Sequence, residues 1–196
     1  MKIIFASSNQ GKIKEINALI RQSAIEVIPQ VEMGVPDIAE TGLTFIENAL
    51  IKARNATELT KLPAMADDSG LVVPILNGEP GIFSARYAGE AGDHTKNITK
   101  LLTKLQDVPP EKRIAYFYCV IVMLRHKDDP CPIICEGIWH GSILMQPKGE
   151  KGFGYDPIFY VADYNCSAAE LTMEVKNEIS HRGQAMTDLI QQLQSL

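Results

Sequence analysis

The chain has 196 residues, 45% of them hydrophobic and 22% charged, enough to bury the core of one globular domain spanning residues 1–196. A formal net charge of −5 argues against a basic stripe gripping a nucleic-acid backbone. The longest apolar run, residues 114–124, is too short to cross a bilayer, and MKIIFASSNQGK lacks the apolar region of a secretory signal, so a cytoplasmic protein with no membrane or nucleic-acid partner is expected.

Residues 2–7, KIIFAS, form a short β-rich run, and the following GKIKEINALIRQ places Ile13, Ile16, Leu19 and Ile20 on one helical face. Between them lies Ser7-Ser8-Asn9-Gln10-Gly11-Lys12, where a strand turns into a helix. Backbone N–H groups and the helix dipole at such a turn suit a phosphate, with Lys12 adding charge. Compared with the P-loop pattern, Ala6 stands in place of a glycine and Ile13 in place of the metal-binding hydroxyl. An ordinary turn with a solvent-reaching lysine is the competing reading.

Asp37 and Glu40 in VPDIAETG precede a helix announced by Thr44-Phe45-Ile46-Glu47, the S/T-x-x-E capping pattern, and running to about Leu59. Its apolar stripe is Phe45, Ala49, Ala53 and Ala56. Lys52 sits close to that stripe, so it either snorkels or points into a polar cleft.

The segment PAMADDSGLVV sets Asp67 and Asp68 between apolar runs. Two readings stand: a turn built on Asp, Ser and Gly, or buried acids held by cations or a metal. After them a strand over 71–76 is interrupted by Pro74, pointing to an edge or a bulge, and NGEPG marks a turn. Residues 97–105 read as a helix, and 114–125 and 133–144 as long strands joined by the turn HKDDPCP. The cysteines Cys119, Cys131, Cys135 and Cys166 lack zinc-site spacing and are expected to be buried thiols.

FGYDP (Phe153, Gly154, Tyr155, Asp156, Pro157) joins glycine freedom to aromatics and an acid before the strand IFYV. Ile179-Ser180-His181-Arg182 opens a last helix striped by Ala185, Leu189 and Leu193. Two cationic donors at a helix start oppose its dipole, an arrangement a ligand's acceptors would offset. The mixed order of helices and strands implies an α/β fold on a mixed sheet.

Six ordered blocks, S-x-N-x-x-K, ETGLTFIENA with Lys52, ADDSGL, PGIFSARYAG, FGYDPIF and SHRGQA, resemble the ITPase-like (RdgB/HAM1) family of purine nucleoside triphosphate pyrophosphatases over nearly the whole chain. One departure is Ser8, where many relatives carry glycine. The resemblance implies an elongated mixed sheet flanked by helices, two lobes with a nucleotide cleft between them, and a homodimer. It implies Mg²⁺-dependent hydrolysis of ITP, dITP and XTP or dXTP to monophosphate and pyrophosphate, removing them before incorporation into DNA or RNA. By the same resemblance Asp68 is the general base and a metal acid, Glu40 a second metal acid and Asp67 a supporting one. Ser7, Ser8, Asn9, Gln10, Gly11, Lys12, Lys52, Ser69 and Lys176 would hold phosphates or sugar. Phe153 would stack the base, Gly154 and Tyr155 beside it would also contact the substrate, and Asp156, His181 and Arg182 would read the base edge. A non-catalytic nucleotide sensor and a phosphatase cutting the terminal phosphate are the alternatives.

Overall fold

The computed structural model describes residues 1–21, 25–89 and 93–195. Strand β1 (Lys2–Phe5) leads through a loop into helix α1 (Gln10–Leu19), whose N-cap Asn9 accepts a hydrogen bond from the Lys12 backbone N–H. β2 (Glu26–Pro29) follows, then α2 (Phe45–Thr60), β3 (Ala64–Val72) and α3 (His94–Lys104). The long strands are β4 (Ile114–Leu124) and β5 (Ile133–Ile143), and the short ones β6 (Phe159–Val161) and β7 (Cys166–Ser167). Helices α4 (Met173–Ile179) and α5 (His181–Gln194) end the chain.

The strands hydrogen-bond in the order β2-β1-β3-β4-β5-β6-β7. β1 runs parallel to both β2 and β3, whereas β6 is antiparallel to β5 and β7, so the sheet is mixed as expected. By contacts the chain forms two compact units. The first holds Met1–Asp68, Cys119–Gly137 and His181–Leu196; the second holds Ser69–Tyr118 and Ile138–Ser180. Each has its own apolar core. Ile3, Phe5, Ile16, Ile121 and Leu189 belong to the first. Leu71, Leu101, Trp139 and Phe159 belong to the second, where the Phe117 and Phe159 rings meet at 4.6 Å between centroids.

The capping box at Thr44 is complete: Thr44 Oγ1 accepts from the Glu47 N–H, and Glu47 Oε2 accepts from the Thr44 N–H at 2.8 Å. Ala49, Ala53 and Ala56 are buried, as their spacing predicts. β5 alternates, with Cys135, Gly137 and Trp139 inward and Glu136, Ile138 and His140 outward.

Of the two readings of the acid pair the structure takes the buried one held by cations: Asp67 and Asp68 lie inside β3, an interior strand, and not in a turn. Two expectations need correction. The strand expected over 71–76 is the tail of β3, which stops at Val72; Pro74, lacking an N–H for the ladder, opens a 3-10 turn. Among the cysteines, Cys119 and Cys135 are buried but Cys131 is exposed. Strand β2 and helix α4 had no counterpart in the sequence reading, being four and seven residues long. Short elements carry too little periodicity to stand out.

Gly137 shows how closely the first unit is packed around the start of α5. A Cβ at this position would lie 1.9 Å from the His181 carbonyl oxygen. Gly137→Ala should therefore displace the first turn of α5 and cost about 1–3 kcal/mol of stability, the scale of core overpacking. Urea unfolding measures this; an unchanged midpoint would show that the helix start yields freely.

Candidate functional site

The site in the first unit is built where β1 ends. β1 lies between its parallel neighbours β2 and β3, and ligands of parallel sheets gather beyond the carboxyl ends of strands at such a reversal. Register pairs Phe5 with Met65, and the Ala6 N–H donates to the Met65 carbonyl at 2.8 Å. Asp67 and Asp68 follow Met65 after Ala66 alone, so β3 carries them beside the Ser7-to-Lys12 loop. Within that loop the Asn9 N–H donates to Ser7 Oγ at 3.2 Å. Gln10 and Gly11 form the first turn of α1.

Asp67 is fully buried, with 0% exposure. Lys12 Nζ lies 3.0 Å from its Oδ1 and 2.9 Å from its Oδ2, and Arg182 donates from Nε and Nη2 to Oδ2, each at 3.2 Å. Burial pushes the Asp67 carboxyl up, but Lys12 and Arg182 outweigh it and hold the group below the usual carboxylate range. Arg182 also donates through Nη1 to Glu15.

Asp68 lies in a different environment. Its Oδ1 is 3.3 Å from Lys52 Nζ, and its buried Oδ2 has no hydrogen-bond partner. Burial is the main cause that raises its pKa above the ordinary carboxylate value; Lys52 and Lys12 oppose the rise, while Glu40 and Asp67 add to it. Lys52 Nζ also donates to Glu40 Oε1 at 2.7 Å. Burial lowers the Lys52 pKa, but Asp68, Asp67 and Glu40 more than reverse that. Lys52 thus joins the polar cluster and does not snorkel.

Two residues that sequence reasoning missed, Asn48 and Glu15, make buried polar contacts in the first unit. Buried Asn48 accepts from the Gly42 N–H at 2.8 Å, and a Cβ at Gly42 would meet Glu47 Cβ at 2.5 Å. Asp37 accepts from Ser8 Oγ at 2.8 Å, so serine at this position gives the loop a bond that glycine could not. Glu15 is the other omission: its carboxylate is buried beside Ile16, yet only the apolar positions of α1 were read.

A second cluster lies in the second unit. Asp156 Oδ2 accepts from Lys176 Nζ at 2.6 Å and from the Phe153 N–H at 2.8 Å. Lys176 Nζ stands 5.0 Å from the centroid of the Phe153 ring, within cation–π reach. Gly152 has φ +75° and would put a Cβ 2.1 Å from Asp156 Oδ2, so only glycine fits there. Gly154 has φ +64°. Ser69, half-buried in β3, belongs to this unit.

Asp67 is the ion-pair partner of Lys12 and Arg182, which engage both its oxygens. Tyr155 is 3% exposed in the second core, with its hydroxyl donating to the Ser84 carbonyl. The Arg182 guanidinium, 2% exposed, is directed at Asp67 and Glu15 and not displayed as an open pair of donors. His181 shares the burial of Arg182 at the start of α5.

Among the described residues no three His, Cys, Asp or Glu side chains converge as a metal-binding group. Glu40 and Asp68 nevertheless fit Mg²⁺, which takes one or two carboxylates together with water and substrate phosphate. The observation favouring this is the buried, unpartnered Oδ2 of Asp68.

A model of the Ham1 family matches residues 3–192. A dITP/XTP pyrophosphatase of Vibrio cholerae serotype O1 is 53% identical over 193 residues, 98% of this chain and 96% of that protein. One from Escherichia coli O157:H7 is 52% identical over 194 residues, 99% of this chain and 98% of that protein. The solved structure of a HAM1 protein from Coxiella burnetii aligns with a TM-score of 0.93 at 49% identity, covering 100% of each chain.

The Asp68 environment yields a stability test. A carboxyl whose folded pKa is raised favours the folded state fully below its ordinary value near 3.8, and this contribution is lost as pH rises through the folded pKa. Asp68→Asn removes the buried charge. Without divalent cations the variant should melt above the parent at pH 7, and the gap should close as the pH approaches 4. A variant that melts lower at pH 7 would show that the Lys52 contact outweighs the desolvation.

Proposed function

We propose that this chain, which belongs to the Ham1 family, hydrolyses ITP, dITP and XTP or dXTP to the nucleoside monophosphate and pyrophosphate with Mg²⁺. This chemistry clears such nucleotides from the pool before they enter DNA or RNA. Relatives more than half identical over nearly their full length carry the matching name, which supports the reading. The observation within the site that carries it is Asp68, raised in basicity and with one buried oxygen unpartnered beside Lys52.

Asp68 takes a proton from the water that attacks the α-phosphorus, and the bond from that phosphorus to the pyrophosphate oxygen breaks as the new one forms. Lys12 and Lys52 offset charge on the triphosphate, and the loop with Asn9 offers backbone donors to phosphate oxygens. Glu40 and Asp68 would hold Mg²⁺, which when bound supplies Lewis-acid neutralisation of phosphate charge. Phe153 gives a ring face for the base, with Lys176 and Ser69 toward phosphate or sugar and Asp156 and His181 toward the base edge. Donors matched to a 6-oxo group leave the amino group of adenine facing another donor, a mismatch polar sites reject strongly.

The homodimer belongs to the same proposal. Ile114 of β4 and Ile138 of β5 remain 60% and 40% exposed in the second unit, apolar surface that a second copy would cover. Among the described residues no helix is long and apolar enough to cross a membrane. The cytoplasm, where nucleotide pools lie, is the proposed location.

Chromatography of products from ITP, XTP, GTP and ATP with Mg²⁺ tests the activity directly. Monophosphate and pyrophosphate from ITP and XTP are expected; orthophosphate and a diphosphate would identify a terminal phosphatase instead. Asp68→Asn should lower kcat by about 10²-fold or more while nucleotide still binds, the scale of a lost general base. Lys52→Ala should reduce kcat/KM for all triphosphates together. Unchanged kinetics with a large fall in melting temperature would mark Lys52 as structural.

A further inference from the structure

Lys12 and Glu15 stand three residues apart on α1, spacing that puts both side chains on one side of the helix. Both reach the start of α5 and the middle of β3 through one chain of alternating charge. Glu15 pairs with Arg182 Nη1; Arg182 Nε and Nη2 pair with Asp67 Oδ2; Asp67 pairs with Lys12. Three of its four members are almost out of water, with Glu15 7%, Arg182 2% and Asp67 0% exposed. In such a place a guanidinium demands carboxylate partners, because an uncompensated buried charge costs far more than an exposed one. Asp67 is shared by two cations, Arg182 and Lys12. Glu15 supplies Arg182 with a second acid, so Arg182 need not draw Asp67 away from Lys12.

We propose that Glu15 is a positioning residue: by holding Arg182 through its Nη1 it leaves Asp67 available to fix Lys12 where the phosphates are bound. The phosphate role of Lys12 rests on the function proposed above, but the grip of Asp67 on Lys12 does not. Glu15 touches neither substrate nor metal in this scheme. Its effect reaches the reaction through Arg182, Asp67 and Lys12 in turn. Residues coupled through one ion-pair network should respond non-additively when they are changed together.

The test reads Lys12 directly, in protein without nucleotide, by timed acylation with an amine-reactive ester and mass spectrometry of the labelled peptides. Exposed Lys61 serves as the internal reference. Glu15→Gln, which keeps the shape and removes the charge, should raise the labelling rate of Lys12 relative to Lys61 by about three-fold or more, the scale of a lost coupling. Glu15→Asp should lie between the two. Adding Arg182→Met to Glu15→Gln removes the competitor for Asp67 and should return Lys12 toward the parent rate, whereas a merely structural role predicts further loosening. The double variant also replaces a buried ion pair with neutral groups, so it keeps the test open if Glu15→Gln alone fails to fold. With ITP and ATP as substrates, Glu15→Gln should lower kcat/KM for both by a similar factor and leave their ratio unchanged. If no triphosphate is cleaved by the parent, the proposed function fails while the labelling result still decides the role of Glu15. Lys12 labelling that is unchanged in Glu15→Gln and Glu15→Asp, or an ITP to ATP ratio that falls in Glu15→Gln, would overturn the proposal.

Discussion

Two acids placed side by side in an interior strand can persist only if each finds its own cations. Successive side chains of a strand point to opposite faces of the sheet, so Asp67 and Asp68 take different direct ion-pair partners. Asp67 meets Lys12 from α1 and Arg182 from α5; Asp68 meets Lys52 from α2. Three helices of the first unit are thereby fixed to one dipeptide. The capping box that starts α2, the Asn9 cap that starts α1 and the glycine at 137 that admits the start of α5 all serve to bring a cation to the right face.

The helices that carry these cations were readable because their signals are local. The S/T-x-x-E box and the alanine stripe announce α2, and the position of Lys52 near that stripe left snorkelling and a polar cleft as the two readings. The acid pair itself was not readable as strand. Asp, Ser and Gly favour turns, and tertiary pairing with buried cations overrode that preference. Glu15 was missed for a related reason: one acid beside Ile16 resembles a solvated position until Arg182, 167 residues away in the chain, is seen to reach it. Such long-range ion pairs leave no periodicity behind.

In the second unit, motif resemblance identified Phe153, Asp156 and Lys176, but the physical link between them came only from the fold. Lys176 lies on a seven-residue helix too short to be read from pattern, and it is buried with its ammonium on Asp156 and over the Phe153 ring. A ring with a fixed cation on one side, in a residue whose backbone N–H is held by the same carboxylate, has little freedom to turn. An aromatic held in this way is suited to stacking a flat base without first losing conformational entropy. Gly152 belongs to this arrangement because any side chain there would strike the carboxylate that holds both partners.

The two acids of β3 also differ in what remains after pairing, and that difference decides which can do chemistry. On the Asp67 side, Lys12 and Arg182 are met by Asp67 and Glu15, so the charges balance and the carboxylate is held ionised as a fixed anion. On the other side, Glu40 and Asp68 face Lys52, one cation for two acids. Burial raises the basicity of Asp68 against the pull of Lys52 and Lys12, with Glu40 and Asp67 adding to the rise, and environments that push paired acids apart in this way divide their roles. A fixed anion can position a lysine but is a poor base. An acid with raised basicity and an unsatisfied oxygen is suited to taking a proton from water, and the surplus negative charge around it is what a divalent cation would neutralise.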